Sequence, residues 1–312
     1  MKKPSTNIGG QALIRKTSSA DLAIQMVLDS LTSAHSKRAY ERHLREFMSW
    51  YKASGQKAIN KAVVQRYAAE LREAGRSAAT INQKLSAIRK LAAEAGDNGA
   101  LDSQIANGIK GVKGVRQEGT RTGNWLSREQ AQRMLGRPDR RTLKGLRDRA
   151  VLAVLLGCGL RRAEAANLMF NHIQQRDGRW VLVDLIGKRN KIRSVPMPNW
   201  AKKAIDEYAS LAGLSEGNVF RPVNKGGRIT RESMTEQAFY NLVFEYATDL
   251  GFGEIAPHDL RRTFAKLAHK GGSGLDQIQL SLGHGSIQTT EKYLGVEQDL
   301  TDAPCDHLGL RL

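Results

Sequence analysis

Cysteine is nearly missing from this chain: 312 residues hold two, Cys158 and Cys305. Two cysteines make neither a disulfide framework nor a zinc-ligand spacing, which fits a reducing compartment. Cys158 lies in an apolar run and reads as a small core residue. No cluster of Asp and Glu suits a two-metal site, and no glycine-rich loop runs into Lys-Ser/Thr. Neither a metal nor ATP is implied, and no cofactor is expected. The longest apolar run, Ala150 to Leu156, is far shorter than the ~20 residues needed to cross a bilayer, so no membrane partner is expected. Met1-Lys2-Lys3-Pro4-Ser5-Thr6 has no apolar stretch of signal-peptide type. No internal repeat is found.

Positive charge is what the chain has in excess. It carries 49 Lys+Arg against 31 Asp+Glu, a net charge of +18 and a pI near 10.1. A chain this basic ordinarily meets a polyanion, nucleic acid first of all. The excess is uneven: residues 1–117 hold 20 basic and 9 acidic side chains, and the longer remainder 29 and 22. The N-terminal part is the more basic per residue.

Length suits two domains. Residues 1–19 read as a polar, flexible N-terminus. Residues 20–107 follow as a helical, DNA-gripping domain of about four helices, from apolar positions at helical spacing such as Tyr40, Leu44, Phe47, Met48 and Tyr51. Gly75 and Gly96 punctuate helix ends. Residues 108–124 have five glycines among Lys110, Lys113, Arg116 and Arg121 and no apolar period, and read as a basic, flexible linker. Residues 125–312 form a second domain. Ser127 opens a helix, and Leu146 to Leu156 is a buried one. Arg179 to Ile186 and Ile192 to Val195 pair as a hairpin with Lys188 in its loop, and helices resume at about 199–212, 234–250, 257–270, 274–282 and 286–294. The fold class expected is mainly α with a small antiparallel β-sheet. In the tail, 295–312, Pro304 precedes alternating Leu308, Leu310 and Leu312, the pattern of a short strand.

Six side chains suggest chemistry. Arg161 lies in Gly159-Leu160-Arg161-Arg162-Ala163-Glu164, Lys188 in Gly187-Lys188-Arg189-Asn190-Lys191, His258 and Arg261 in His258-Asp259-Leu260-Arg261, and His284 in Leu282-Gly283-His284; Tyr293 follows nine positions later. A tyrosine on a helix face ordinarily packs; this one has the company needed for metal-free phosphodiester cleavage. A phenol with an unperturbed pKa of about 10 needs a proton acceptor or nearby positive charge to become a nucleophile. Arginines grip phosphate oxygens bidentately and keep their charge. Lysine can protonate a leaving alkoxide, and histidine can handle the nucleophile's proton or donate to phosphate. Arg162 and Arg262 are the natural decoys for the two arginines. Lys191, Arg189 and Arg193 compete with Lys188. Glu164, three residues after Arg161, is placed to brace that arginine from behind.

Gly157 to Leu168, Ile186 to Pro196, Pro257 to Leu267 and Leu282 to Leu294 together resemble the tyrosine recombinases of the phage-integrase family. Ser36-Lys37-Arg38-Ala39-Tyr40 and the run Ala79 to Arg89 resemble that family's core-binding domain. The resemblance implies attack by Tyr293 on the scissile phosphate, giving a 3′-phosphotyrosine and a free 5′-hydroxyl. Lys188 would be the general acid and His258 the proton acceptor, while Arg161, Arg261 and His284 stabilise the phosphate. It implies double-stranded DNA recombination sites as partner, a tetramer on two duplexes, a cytoplasmic, nucleoid-associated place and room for accessory DNA-bending or directionality proteins. Lys37, Arg38, Arg42, Lys84 and Arg89 are the candidate DNA contacts of the first domain. The wording around Pro257 to Thr263 and the tail resembles integrases of mobile elements more than chromosome-dimer resolvases. A topoisomerase-like DNA-relaxing enzyme and a non-catalytic DNA-binding regulator stand as alternatives. The first is discriminated by its product and the second by the presence of the phenol.

Overall fold

The structure, a computed structural model, describes residues 19–116, 124–187 and 192–294, without the side chains of residues 19, 292 and 293. The first residues, Lys188 with its neighbours Arg189 and Lys191, and the tail 295–312 lie outside the described residues. The chain divides into two compact units, Met1–Gly119 and Thr120–Leu312.

The first unit is a bundle of five helices: α1 Ser19–Asp29, α2 Ala34–Ala53, α3 Lys61–Glu73, α4 Ala78–Asp97 and α5 Ser103–Lys110. Short polar side chains start four of them. Ser33, Asn60, Ser77 and Asp102 each accept a backbone N–H of the following turn, a cap whose loss costs about 1 kcal/mol. The core is built from Leu44, Phe47, Val64, Tyr67, Ile81, Leu85, Ile88 and Ile109.

Two expectations change here. Gly96 does not end α4 but lies within it, where a Cβ would come 2.8 Å from the Cβ of Ala106; the missing side chain lets α5 pack close. The expected linker also starts later than residue 108. Ile109 and Val112 are buried, and Asn82 exchanges hydrogen bonds with the backbone of Val115, 2.8 and 2.9 Å. Glycines and lysines hid that apolar pair, which finds its period only against α4.

The second unit runs α6 Arg128–Gly136, α7 Leu143–Gly157, α8 Arg162–Ala166, a 3-10 turn at Phe170–His172, strands β1 Ile173–Arg176, β2 Arg179–Ile186 and β3 Ile192–Pro196, then α9 Asn199–Ala212, α10 Glu236–Asp249, α11 Pro257–Lys270, α12 Leu275–Leu282 and α13 Ile287–Leu294. Ser127 and Gln130 form a capping box on α6. Buried side chains run without a break from Ala150 to Leu156, so α7 is enclosed on all sides at the centre of the core. The sheet is antiparallel in the order β1-β2-β3. β1, Ile-Gln-Gln-Arg, has no alternation to read and is held by pairing with β2. The signal was in the turn: Asp177 and Gly178 both take positive φ, 48° and 73°, as a two-residue hairpin turn requires. Asp184, φ 54°, lies in a bulge after which Leu185 opposes Arg193; bulges re-aim side chains. Among the described residues no helix is long and apolar enough to cross a membrane.

Candidate active site

The buried helix α7 ends in Gly157-Cys158-Gly159 and delivers Arg161 as the N-cap of α8. Gly159 adopts φ +58°, and a Cβ there would meet the Phe264 ring at 2.6 Å, so only glycine fits between α7 and α11. Glu164, one turn into α8, accepts from the Arg161 backbone N–H at 2.7 Å and from Arg161 Nη1 at 2.7 Å. The same carboxylate accepts from Arg193 Nη1 and Nη2 at 2.6 and 2.8 Å and lies 3.9 Å from Arg261 Nη1. Burial alone would raise the Glu164 pKa. Hydrogen bonds and charge from Arg193, with those of Arg161, reverse that and hold it at about 2. One carboxylate thus faces three guanidiniums, an excess of positive charge that an anion would complete.

The three arginines also share the end of α12. Arg193 Nε donates to the Ser281 carbonyl at 3.0 Å, Arg261 Nη2 to that of Leu282, and Arg161 Nη2 to that of Gly283 at 3.4 Å. Carbonyls at a helix C-terminus are the negative end of its dipole and favour cations. Arg261 is 1% exposed and also donates through Nη1 to the Gly159 carbonyl at 2.6 Å, joining the α7 turn to α12. Gly283 caps α12 at φ +62°, where a Cβ would lie 2.8 Å from Arg193 Cδ. Gly283→Ala is therefore expected to lower stability by about 1–2 kcal/mol from backbone strain and to displace Arg193 from Glu164. A fall in thermal midpoint checks it.

His284 follows that cap. Its Nδ1 lies 3.0 Å from the hydroxyl of Thr290 on α13, three residues before Tyr293. Burial, with the charges of Arg261, Arg161, His258 and Arg193, lowers its pKa to about 4, so at neutral pH it is an uncharged donor. His258 is the second residue of α11, after Pro257 at the first helical position. It keeps an exposed face, yet partial burial lowers its pKa, aided by Arg262 and Arg261. A histidine whose folded pKa lies below its unfolded value contributes fully above about pH 6.5 and loses that contribution as pH falls. For His284 the window is pH 6.5 down to about 4. Between pH 7 and 5 wild type should lose about 1–2 kcal/mol that His284→Gln does not lose, read as urea midpoints.

Arg161, His258, Arg261, His284 and Glu164 are thus brought to one place, and the backbone of Tyr293 lies on α13 beside it. Lys188 lies outside the described residues. Arg193, named above as a competitor of Lys188, instead commits its side chain to Glu164 and the Ser281 carbonyl. No local signal gives this away, because the partners are far off in sequence. In the first unit Arg38 and Arg42 are exposed and Lys37 half-buried. Lys84 and Arg89 depart from the expected DNA-facing set. Lys84 is 7% exposed and ion-paired with Glu46, and Arg89 Nη2 donates to the Val112 carbonyl. They lie on different sides of α4, Lys84 toward α2 and Arg89 toward the segment after α5. Among the described residues no group of three or more His, Cys, Asp or Glu could hold a metal ion.

Residues 124–299 match the phage integrase family, and residues 25–99 match the phage integrase N-terminal SAM-like domain. The chain is 34% identical over 275 residues to tyrosine recombinase XerC of Pelobacter propionicus, covering 86% of each. It is 28% identical over 302 residues to tyrosine recombinase Synpcc7942_B2651 of Synechococcus elongatus, covering 91% of this chain and 92% of that one. In fold it is similar to XerH site-specific recombinase bound to palindromic difH substrate in a post-cleavage complex, with TM-score 0.66, 21% identity, and 83% and 76% of the two chains covered. A lambda integrase dimer bound to a COC' core site gives TM-score 0.65 at 14% identity, covering 90% and 78%.

Proposed function

The chain belongs to the phage integrase family and is a site-specific tyrosine recombinase acting on DNA, and we propose that Tyr293 is the nucleophile with which it opens the scissile phosphodiester. The observation that carries this reading is the set of three guanidiniums gathered on the end of α12, next to His284 and the helix that bears Tyr293.

In the cleavage step the Tyr293 oxygen forms a bond to phosphorus and the bond to the 5′ oxygen breaks. The product is a 3′-phosphotyrosine and a free 5′-hydroxyl. His258, neutral at working pH, takes the phenol proton, and Lys188 gives one to the departing 5′ oxygen. Arg161 and Arg261 hold the non-bridging oxygens, and His284 donates to one of them. One well-placed donor of this kind is worth roughly 10²–10³ in rate. One phosphodiester replaces another, so a 5′-hydroxyl from a partner duplex reverses the step without ATP.

A tetramer on two duplexes is the working unit, with accessory DNA-bending or directionality proteins as further partners, in the cytoplasm and at the nucleoid. The wording around Pro257 to Thr263 favours the integrase of a mobile element. Arg38 and Arg42, exposed and with no ion pair among the described residues, contact DNA phosphates together with Lys37. Each of Arg38→Ala and Arg42→Ala should reduce the slope of log affinity against log salt by about one. Lys84→Met should leave that slope unchanged and lower stability instead.

The test is covalent trapping. Wild type is incubated with nicked duplexes captured from a random-sequence library, and the adduct is mapped on a denaturing gel. Protein on the 3′ end at one recurring sequence supports the reading. Relaxation of any supercoiled circle without joined partners would favour the topoisomerase-like alternative. Binding without an adduct would favour a regulator.

A further inference from the structure

Residues 124–126 run alongside α11, and their contacts lie outside the reaction chemistry described above. Asn124 Nδ2 donates to the Glu254 carbonyl at 2.9 Å, and the Asn124 carbonyl accepts from Arg262 Nη1 at 3.3 Å. Lys266 Nζ stands 3.9 Å over the Trp125 ring, close enough for a cation–π contact. The Leu126 N–H donates to Thr263 Oγ1 at 2.9 Å, with both residues buried. Thr263 passes its own hydroxyl hydrogen to the Asp259 carbonyl at 2.8 Å. The Asp259 side chain then closes the first turn, accepting from the Ala256 N–H at 3.0 Å and from Arg262 Nη1 at 3.1 Å.

These bonds converge on the stretch from Ala256 to Lys266, which carries His258 and Arg261. The stretch needs outside support. The N-cap of α11 is Ala256, which has no capping side chain. A threonine bonded to the carbonyl four residues back weakens and bends a helix. Here that hydroxyl has a second task, because it accepts the buried Leu126 N–H, a donor that needs a partner. The Leu126 side chain, 1% exposed in the main core, fixes the far end of the bond.

We infer that residues 124–126 form a strap that sets the first turns of α11, with Trp125 and Thr263 as positioning residues for His258 and Arg261 in the cleavage step. The inference rests on the reading of that step given under Proposed function. The strap works through geometry: misplacement of a reacting group by about 1 Å costs roughly 10²-fold in rate.

The experiment compares full-length wild type, Thr263→Val, Thr263→Ser and Trp125→Leu. Each is read in three ways: DNA affinity, single-turnover cleavage at saturating protein on a captured nicked duplex, and amide hydrogen exchange. Valine keeps the shape of threonine and removes the hydroxyl. Thr263→Val should slow cleavage roughly 10–100-fold with DNA affinity held, and Thr263→Ser should restore the rate. Trp125→Leu, at a site 40% exposed, keeps the core intact and should slow cleavage less. Exchange over residues 256–266 should quicken in Thr263→Val while α7 stays protected. An unchanged rate, a loss of affinity that tracks the loss of rate, or a serine no better than valine would overturn the strap. If no duplex yields an adduct with wild type, the cleavage reading fails. The exchange data then decide the strap by themselves: unchanged protection over 256–266 refutes it.

Discussion

Tyr293→Phe should bind its captured duplex as tightly as wild type and leave no protein on the DNA after denaturation. The substitution removes one oxygen and keeps the ring, so packing of α13 is preserved while the nucleophile is gone. No described neighbour can replace it. The Thr290 hydroxyl is fully buried and engaged by His284, the Glu164 carboxylate is taken up by Arg161 and Arg193, and the remaining groups of the site are arginines and two imidazoles. Loss of a nucleophile can cost up to about 10⁶ in rate, which takes adduct formation below detection on any practical timescale. Equal DNA affinity is the control that makes the result interpretable. An adduct that persists in Tyr293→Phe would move the nucleophile elsewhere in the chain, while loss of affinity along with the adduct would mean that the phenol was structural.

The largest effect on stability is expected at Glu164. Its carboxylate is buried and faces Arg161, Arg193 and Arg261. Glu164→Ala leaves three guanidiniums with no counter-charge in a confined space, and removal of one partner from a buried ionic group costs about 3–5 kcal/mol. In a unit of this size that is a fall of roughly 6–20 °C in thermal midpoint. Glu164→Gln keeps the shape but not the charge and should fall between. Its pH dependence is a second signature. The Glu164 pKa is depressed to about 2, so its contribution is complete above the ordinary carboxylate value of about 4.5 and drains away as pH drops toward 2. The variants should lack that segment of the acid-unfolding curve. A Glu164→Ala protein melting within about 2 °C of wild type would show that the arginines do not depend on it.

Much of this was legible in the sequence because it is locally encoded. The cap at Ser127 names its own helix, the unbroken apolar run Ala150 to Leu156 announces the central one, and Pro257 starts α11 where a first-turn proline belongs. Arg161, His258, Arg261 and His284 stand in short motifs whose order can be read along the chain. What escaped depends on partners distant in sequence. β1 is a strand only because β2 pairs with it. α5 and its apolar continuation acquire a period only against α4. Lys84 and Arg89 look like a solvated basic face until Glu46 and the Val112 carbonyl claim them. Arg193 resembles any hairpin cation, yet it shares Glu164 with Arg161. Positive charge in a sequence does not say which way it faces.

The end of α12 has one more consequence. Its last carbonyls are gripped by three arginines from three other elements, whereas among the described side chains α13 is joined to the rest by less: the contact of His284 with Thr290, and Leu294 in a small cluster with Ala265, Ile278 and Leu282. Local opening follows the weaker attachments, so α13 can depart while the arginines stay assembled. A subunit in that state is a clamp without a blade. With Tyr293 as the proposed nucleophile, it keeps the groups that grip a phosphate backbone and lacks the one that cuts it.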